Sequence, residues 1–257
     1  MKYPVWIPAV ALMLTGCATD SVGTSQGPNW GGIAREVLEG YGQTTPGAAA
    51  LSEAQIVAGL KEALTVGAGT VVAQLGQVDG FRLDPKIHIP LPTQLQKVDA
   101  ALRMVGMNSL TQDLEARLNR VAELVTPRAE QLFIGSIRQM TLTDAREILF
   151  GGKKDAATQF FRRTMGAQLV TEIEPIIEST LAESGAIKAF DQATGRYNQL
   201  PLVGQVTEDA KADLNTYVAN RAVDGIFYYI AQEEAAIREN PVKRTTEILK
   251  VVFGAID

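Results

Sequence analysis

The sequence comes nearest to chemistry where charged residues fall at helical spacing inside an otherwise apolar stripe. In "TEDAKADLNTYVANRAVDGIFYYIAQEEAAIREN", Phe227, Ile230 and Ile237 form a stripe with Glu234 inside it. Glu234 and Arg238 are four residues apart with the acid first, the favourable order for a helical pair. Asp224 follows Arg221 by three residues, and Arg244 comes just past the Asn240-Pro241 corner. Arg162 and Asp144 are candidates to meet these groups from earlier segments. A buried carboxylate must be paired. Three arrangements satisfy that: a structural network pinning the last two helices, a cleft recognising an anionic group, or acid/base work by Asp224 and Glu234. The pinning network is the leading expectation.

Other strings carry less. "GTSQG" matches G-x-S-x-G around Ser25, but a nucleophile elbow needs a strand before it and a helix after it, and neither is expected here. "GGKKDAATQ" places Gly152 and Lys153 before a helix without the Ser/Thr that would complete a phosphate loop. "GAGTVV" lacks a third glycine and a preceding strand. His88, the single histidine, reads as an exposed side chain rather than a catalytic base. With one histidine and one cysteine, no metal site is expected, and no cofactor motif is present.

That cysteine, Cys17, ends "MKYPVWIPAVALMLTGC". Lys2 gives one positive charge, Tyr3 to Leu14 are apolar, and small residues follow, the pattern of a secretory leader. The run is about a dozen residues, against roughly 20 needed to cross a bilayer. "LTGC" resembles the lipobox of bacterial lipoproteins. The resemblance implies that residues 1–16 are removed and that Cys17, lipidated, becomes the first mature residue. Two or more acyl chains anchor stably, at about 0.8 kcal/mol per buried methylene. Ala18 stands where an Asp would imply inner-membrane retention, so the periplasmic face of the outer membrane is the expected location. Residues 17–50, rich in small and polar types, read as a flexible linker spanning roughly 30 Å.

The chain has 24 Lys+Arg and 29 Asp+Glu, for a net charge of −5. That balance argues against sequence-independent nucleic-acid binding, which needs a basic face. No run after the leader is expected to reach transmembrane length.

Residues 51–257 read as one all-α domain. "LSEAQIVAGLKEALTVGAGTVVAQLG" is a first helix, with Ser52 and Gln55 spaced as a capping box. Gly59, Gly67 and Gly69 on it suggest a neighbouring backbone close by. "DGFRLDPKIHIPLP" is the exception. Phe81, Leu83, Ile87, Ile89 and Leu91 alternate with polar residues, so a short extended, β-like arm is expected near 80–91, confined by Pro90 and Pro92. Further helices follow from Pro92 onward, two long ones with a bend expected at Pro127 and a kink at Pro175, a short one with Thr143 as cap, and the penultimate with Thr207 as cap. Short connections favour antiparallel packing.

At "DGIFYYIAQEEAAIRENPVKRTTEILKVVFG" the chain resembles the bacterial domain of unknown function 4197 family. "LSEAQIVAGLKEAL", "DGFRLDPKIHIPLP", "LNRVAE", "MTLTDAREIL" and "AATQFFRRT" extend the likeness over the whole body. The resemblance implies an exported, often lipid-anchored helical protein and brings no catalytic residues with it. A non-enzymatic module binding an envelope protein or a small ligand is therefore the expected function. The alternatives are a carrier holding an apolar ligand near Phe160, Phe161, Tyr228 and Tyr229, and a carboxylate-based hydrolase or lyase.

Overall fold

A computed structural model describes residues 52–240 apart from 151, 202, 207 and 208. Cys17, Arg244, the leader, the linker, the Thr207 cap and the last expected helix lie outside the described residues. Seven helices are described: α1 (Glu53–Leu75), α2 (Thr93–Met104), α3 (Ser109–Gln139), α4 (Leu142–Phe150), α5 (Ala156–Glu183), α6 (Ala186–Tyr197) and α7 (Asp209–Glu239). The all-α reading holds.

Leu114, Leu118, Val121, Val125, Ala129, Phe133 and Ile137 recur at three- and four-residue steps and are all buried. They make α3 the central helix, in contact with α1, α2, α5, α6 and α7. α5 and α7 lie against each other antiparallel. Thr158 meets Glu234, Arg162 meets Asp224, and Glu174 meets Thr216, so contacts run up one helix and down the other. Pro127 and Pro175 sit within unbroken helical runs.

α1 begins as its sequence implies. Ser52 Oγ accepts from Gln55 N at 3.3 Å, and Gln55 Oε1 accepts from Ser52 N at 2.8 Å. Two expectations about this helix are corrected. By length and composition Ala54–Leu75, with a mean hydropathy of 1.5, is long and apolar enough to cross a membrane. In the fold it contacts α3, α4 and α7 and buries Leu60, Leu64, Val71 and Leu75. No backbone crowds Gly67 or Gly69 either. A Cβ there would meet only side-chain atoms, of Glu233, Ile237 and Glu130, at 3.5–3.7 Å.

The arm from 76 to 92 is ordered and non-helical, but it forms no strand. It is a series of turns up to Ile87, then irregular chain that reaches Pro92 in an extended conformation. Asp79 takes a left-handed φ of 68°, which Asp tolerates better than most residues, and Arg82 pairs with it at 2.6 Å. Leu83 breaks the expected alternation, being 67% exposed. Phe81, Ile87, Ile89 and Leu91 are buried.

α4 corrects the cap. Thr141, not Thr143, precedes the first turn. Its hydroxyl accepts from Asp144 N at 3.2 Å, and Asp144 Oδ2 accepts from Thr141 N at 2.8 Å. Thr143 and Asp144 thus fall at the second and third helical positions, where the acid closes the box.

Candidate functional site

Three polar side chains on one face of α3 hold the arm. They are Glu115, Asn119 and Glu123, each four residues from the next. Asn119, fully buried, accepts from Ile89 N at 2.9 Å and donates to Ile89 O at 2.8 Å, as a neighbouring strand would. Glu123 accepts from Phe81 N at 3.2 Å, and Arg120 bonds its other oxygen at 3.0 Å. Glu115 accepts from Leu91 N at 3.3 Å. A buried backbone segment with no ladder must find such partners. Sequence reading missed all three, since polar residues at this spacing also describe a solvated helix face.

α7 holds the arm from the other side. Tyr217 donates its hydroxyl to Pro90 O at 2.8 Å. The Tyr229 hydroxyl donates to Asp84, and this bond, with burial and the Asp84 charge, pushes the phenol's pKa up to about 12. Between these contacts Phe81 and Ile87 press on Gly225. A Cβ at that position would lie 2.8 Å from Phe81 Cε1 and 3.2 Å from Ile87 Cβ, so the arm reaches its seat only over a glycine. The crowding expected at the glycines of α1 is found here instead, made by side chains of the arm and not by its backbone.

A groove of about 710 Å³ opens between the arm, the start of α5 and the outer face of α7. Lys86 and His88 line it from the arm, Asp155 from just before α5, Gln159 and Arg162 from α5, and Arg221, Asp224 and Tyr228 from α7. Arg162 donates to Asp224 at 2.6 Å and lies 4.8 Å from the centre of the Phe227 ring. Asp155 accepts from Gln159 at 2.9 Å. Lys86 and Arg221 have no carboxylate partner among the described residues; Arg221 rests 5.7 Å from the Tyr217 ring. His88 is half-buried rather than exposed. Its Nδ1 faces Arg82 O at 2.9 Å and its Nε2 faces Glu115 Oε1 at 3.0 Å. Both neighbours are acceptors, so only a ring carrying both N–H groups donates to both.

The expected network of six separates into parts. Arg162 and Asp224 form one pair, half-exposed, in the groove. Glu234 and Arg238 form another, buried on a different face of α7. Ten residues apart at about 100° each, Asp224 and Glu234 point about 80° away from each other. Glu234 accepts from Ala157 N at 2.8 Å, Thr158 N at 2.9 Å, Thr158 Oγ1 at 2.8 Å and Arg238 at 2.8 Å. It is the anion seated on the first turn of α5. Arg238 also donates to Ile148 O at 3.0 Å, near the end of α4. Asp144 does not join either pair, because the cap of α4 uses its carboxylate. Arg244 lies outside the described residues.

Asp224 and Glu234, the two acids expected to act together, therefore do not converge on the groove. Nor do the aromatic residues named for an apolar carrier line one cavity. Phe161 is buried with Phe133 at 6.5 Å and Phe160 at 5.4 Å between ring centres, while Tyr228 faces the groove. The apolar space beside Glu234 amounts to about 20 Å³. Among the described residues no three His, Cys, Asp or Glu side chains gather to hold a metal ion.

A family described as "protein of unknown function (DUF4197)" matches residues 50–254. No curated protein and no solved structure matches the chain.

Proposed function

We propose a function for a chain that belongs to the DUF4197 family: a non-enzymatic recognition module of the bacterial envelope, whose groove between arm, α5 and α7 holds an anionic group. The carrying observation is charge. In a chain of net charge −5, Lys86 and Arg221 face one groove without carboxylate partners among the described residues, while of the two acids of its lining Asp224 is already paired with Arg162 and Asp155 stands at one end. Such cations in a half-enclosed trough attract an anion more strongly than on open surface, because less water screens them.

The tether belongs to the same reading. Residues 1–16 are a leader, Cys17 carries lipid, residues 17–50 form the linker, and 51–257 work as one domain at the periplasmic face of the outer membrane. "LTGC" after an apolar run supports this. Membrane contact comes through the lipid, the partner is an envelope protein or small ligand, and nucleic acid is not one.

Titration with citrate and with inorganic phosphate, followed by backbone amide resonances, tests the groove. Shifts clustered at Lys86, His88, Arg162 and Arg221, and lost in Arg221→Glu, are expected. Shifts elsewhere, or none, would reject the anion reading.

A further inference from the structure

Resting on that anion reading, the geometry points to one class of occupant: we infer that the groove takes an extended peptide segment of a partner protein with two acidic side chains.

The first reason is how the cations are placed. Pro90 contacts Tyr217, Ile87 lies by Gly225 and Asp84 contacts Tyr229, so the arm runs antiparallel to α7. That register sets Arg221 opposite the His88–Pro90 end and Lys86 farther along, toward Tyr228. At 1.5 Å per helical residue, the two cations stand roughly 9 Å apart along the groove, on opposite walls. A small anion can meet only one of them at a time, exchanging between the two, and binds weakly, unlike a ligand in a pocket with converging polar groups. Two carboxylates two or three residues apart on an extended chain, at about 3.3 Å per residue, meet both.

The second reason is shape. From Arg221 to Ala231 the groove follows α7 for about 15 Å, room for four or five extended residues. Its apolar lining is interleaved with the charges. Pro85 and Pro90 contribute from the arm and the 37% exposed Tyr228 from α7, over a floor of the buried Ile87 and Phe227. Such alternation gives seats for side chains between the acids.

The third reason is polarity. Asp155 marks the end away from Arg221, beside Thr158 and Ala231. Asp224 is tied to Arg162 and offers no competing charge at the other end. A peptide is thus oriented, with its acids toward Arg221 and Lys86 and a neutral or basic residue against Asp155.

The test is selection from a phage-displayed random dodecapeptide library on the immobilised full chain. Expected are selected peptides with two Asp or Glu two or three residues apart, whose affinity falls at least about tenfold in Arg221→Glu and clearly in Lys86→Glu. Both side chains are exposed, so the melting temperature should not move, which separates lost binding from lost folding. Recovery of peptides without an acidic pair, no enrichment, or affinity indifferent to Arg221→Glu overturns the inference. If citrate shifts the groove resonances but no acidic peptide is selected, the anion reading survives and the peptide inference falls. If neither binds, both fall.

Discussion

The carboxylate of Glu234 accepts hydrogen bonds from both the backbone N–H and the hydroxyl of Thr158, 76 residues earlier in the chain. The first turn of α5 is therefore capped from α7, not from its own Asp155, whose side chain makes no cap bond.

Removal of that charge should be costly. Glu234→Gln leaves the N–H groups of Ala157 and Thr158 with a weaker acceptor and Arg238 without its anion, at about 3 kcal/mol. Arg238→Met should cost less, since Glu234 keeps its three contacts to α5. Denaturation of both singles and the double variant should give a coupling above roughly 1 kcal/mol. Independent effects near zero would refute the pairing.

Asn119→Ala should release the middle of the arm. It strips partners from both polar backbone groups of Ile89, each worth about 1–3 kcal/mol when left buried and unbonded. Hydrogen exchange should quicken at Ile89 and its neighbours before it quickens in α3. Uniform acceleration across the fold would argue against a local latch.

Gly225→Ala sets two effects against each other. Alanine favours a helix by about 1 kcal/mol, while its Cβ would overlap Phe81 and Ile87. Overpacking of 1–3 kcal/mol on typical scales should win, leaving a net loss that Phe81→Leu partly relieves. Ile87 is the stiffer neighbour, because its contact is through Cβ. A stabilised Gly225→Ala would show that the arm sits looser than described.

Tyr229 gives an alkaline signature. Its phenol is raised from 10 to about 12 in the folded chain. A raised acid contributes stability that is intact below the unfolded value and is lost as pH climbs through the folded one. Wild type should therefore lose more stability than Tyr229→Phe between about pH 10 and 12, while below that window the two curves should run parallel at a constant offset. Near neutral pH, Tyr229→Phe should cost about 1 kcal/mol for the lost bond to Asp84. Parallel curves for the two proteins through the alkaline window would contradict the assignment.

For the tether, Cys17→Ser should abolish lipid modification and leave the protein unprocessed or released from membranes. Intact-mass measurement of the mature protein is the check; a free thiol at Cys17 in the unaltered chain would remove the proposal.

What could be read from the sequence was what the local chain determines. Ser52 and Gln55 cap α1 because three residues of spacing suffice, and Glu234 with Arg238 is a pair one helical turn long. The seat of Glu234 on α5 needed the antiparallel register of two helices, which no local pattern carries. The arm misled for a related reason: apolar alternation signals a strand only if another strand supplies the ladder. Here α3 supplies side chains instead, and Leu83 is free to face water. Gly225 went unremarked because a helical glycine shows its purpose only through what presses on it.

Asn119 and Glu123 take hold of the arm by its main chain, and that divides two tasks among its residues. Phe81, Ile87 and Ile89 must stay apolar to be seated, but nothing in the grip of Asn119 or Glu123 depends on what Leu83 or Lys86 presents to solvent. The outward positions can be rewritten with little effect on where the arm lies, much as a loop on a rigid frame can be. A lip built this way can change the side chains it shows to solvent while the frame beneath it stays the same.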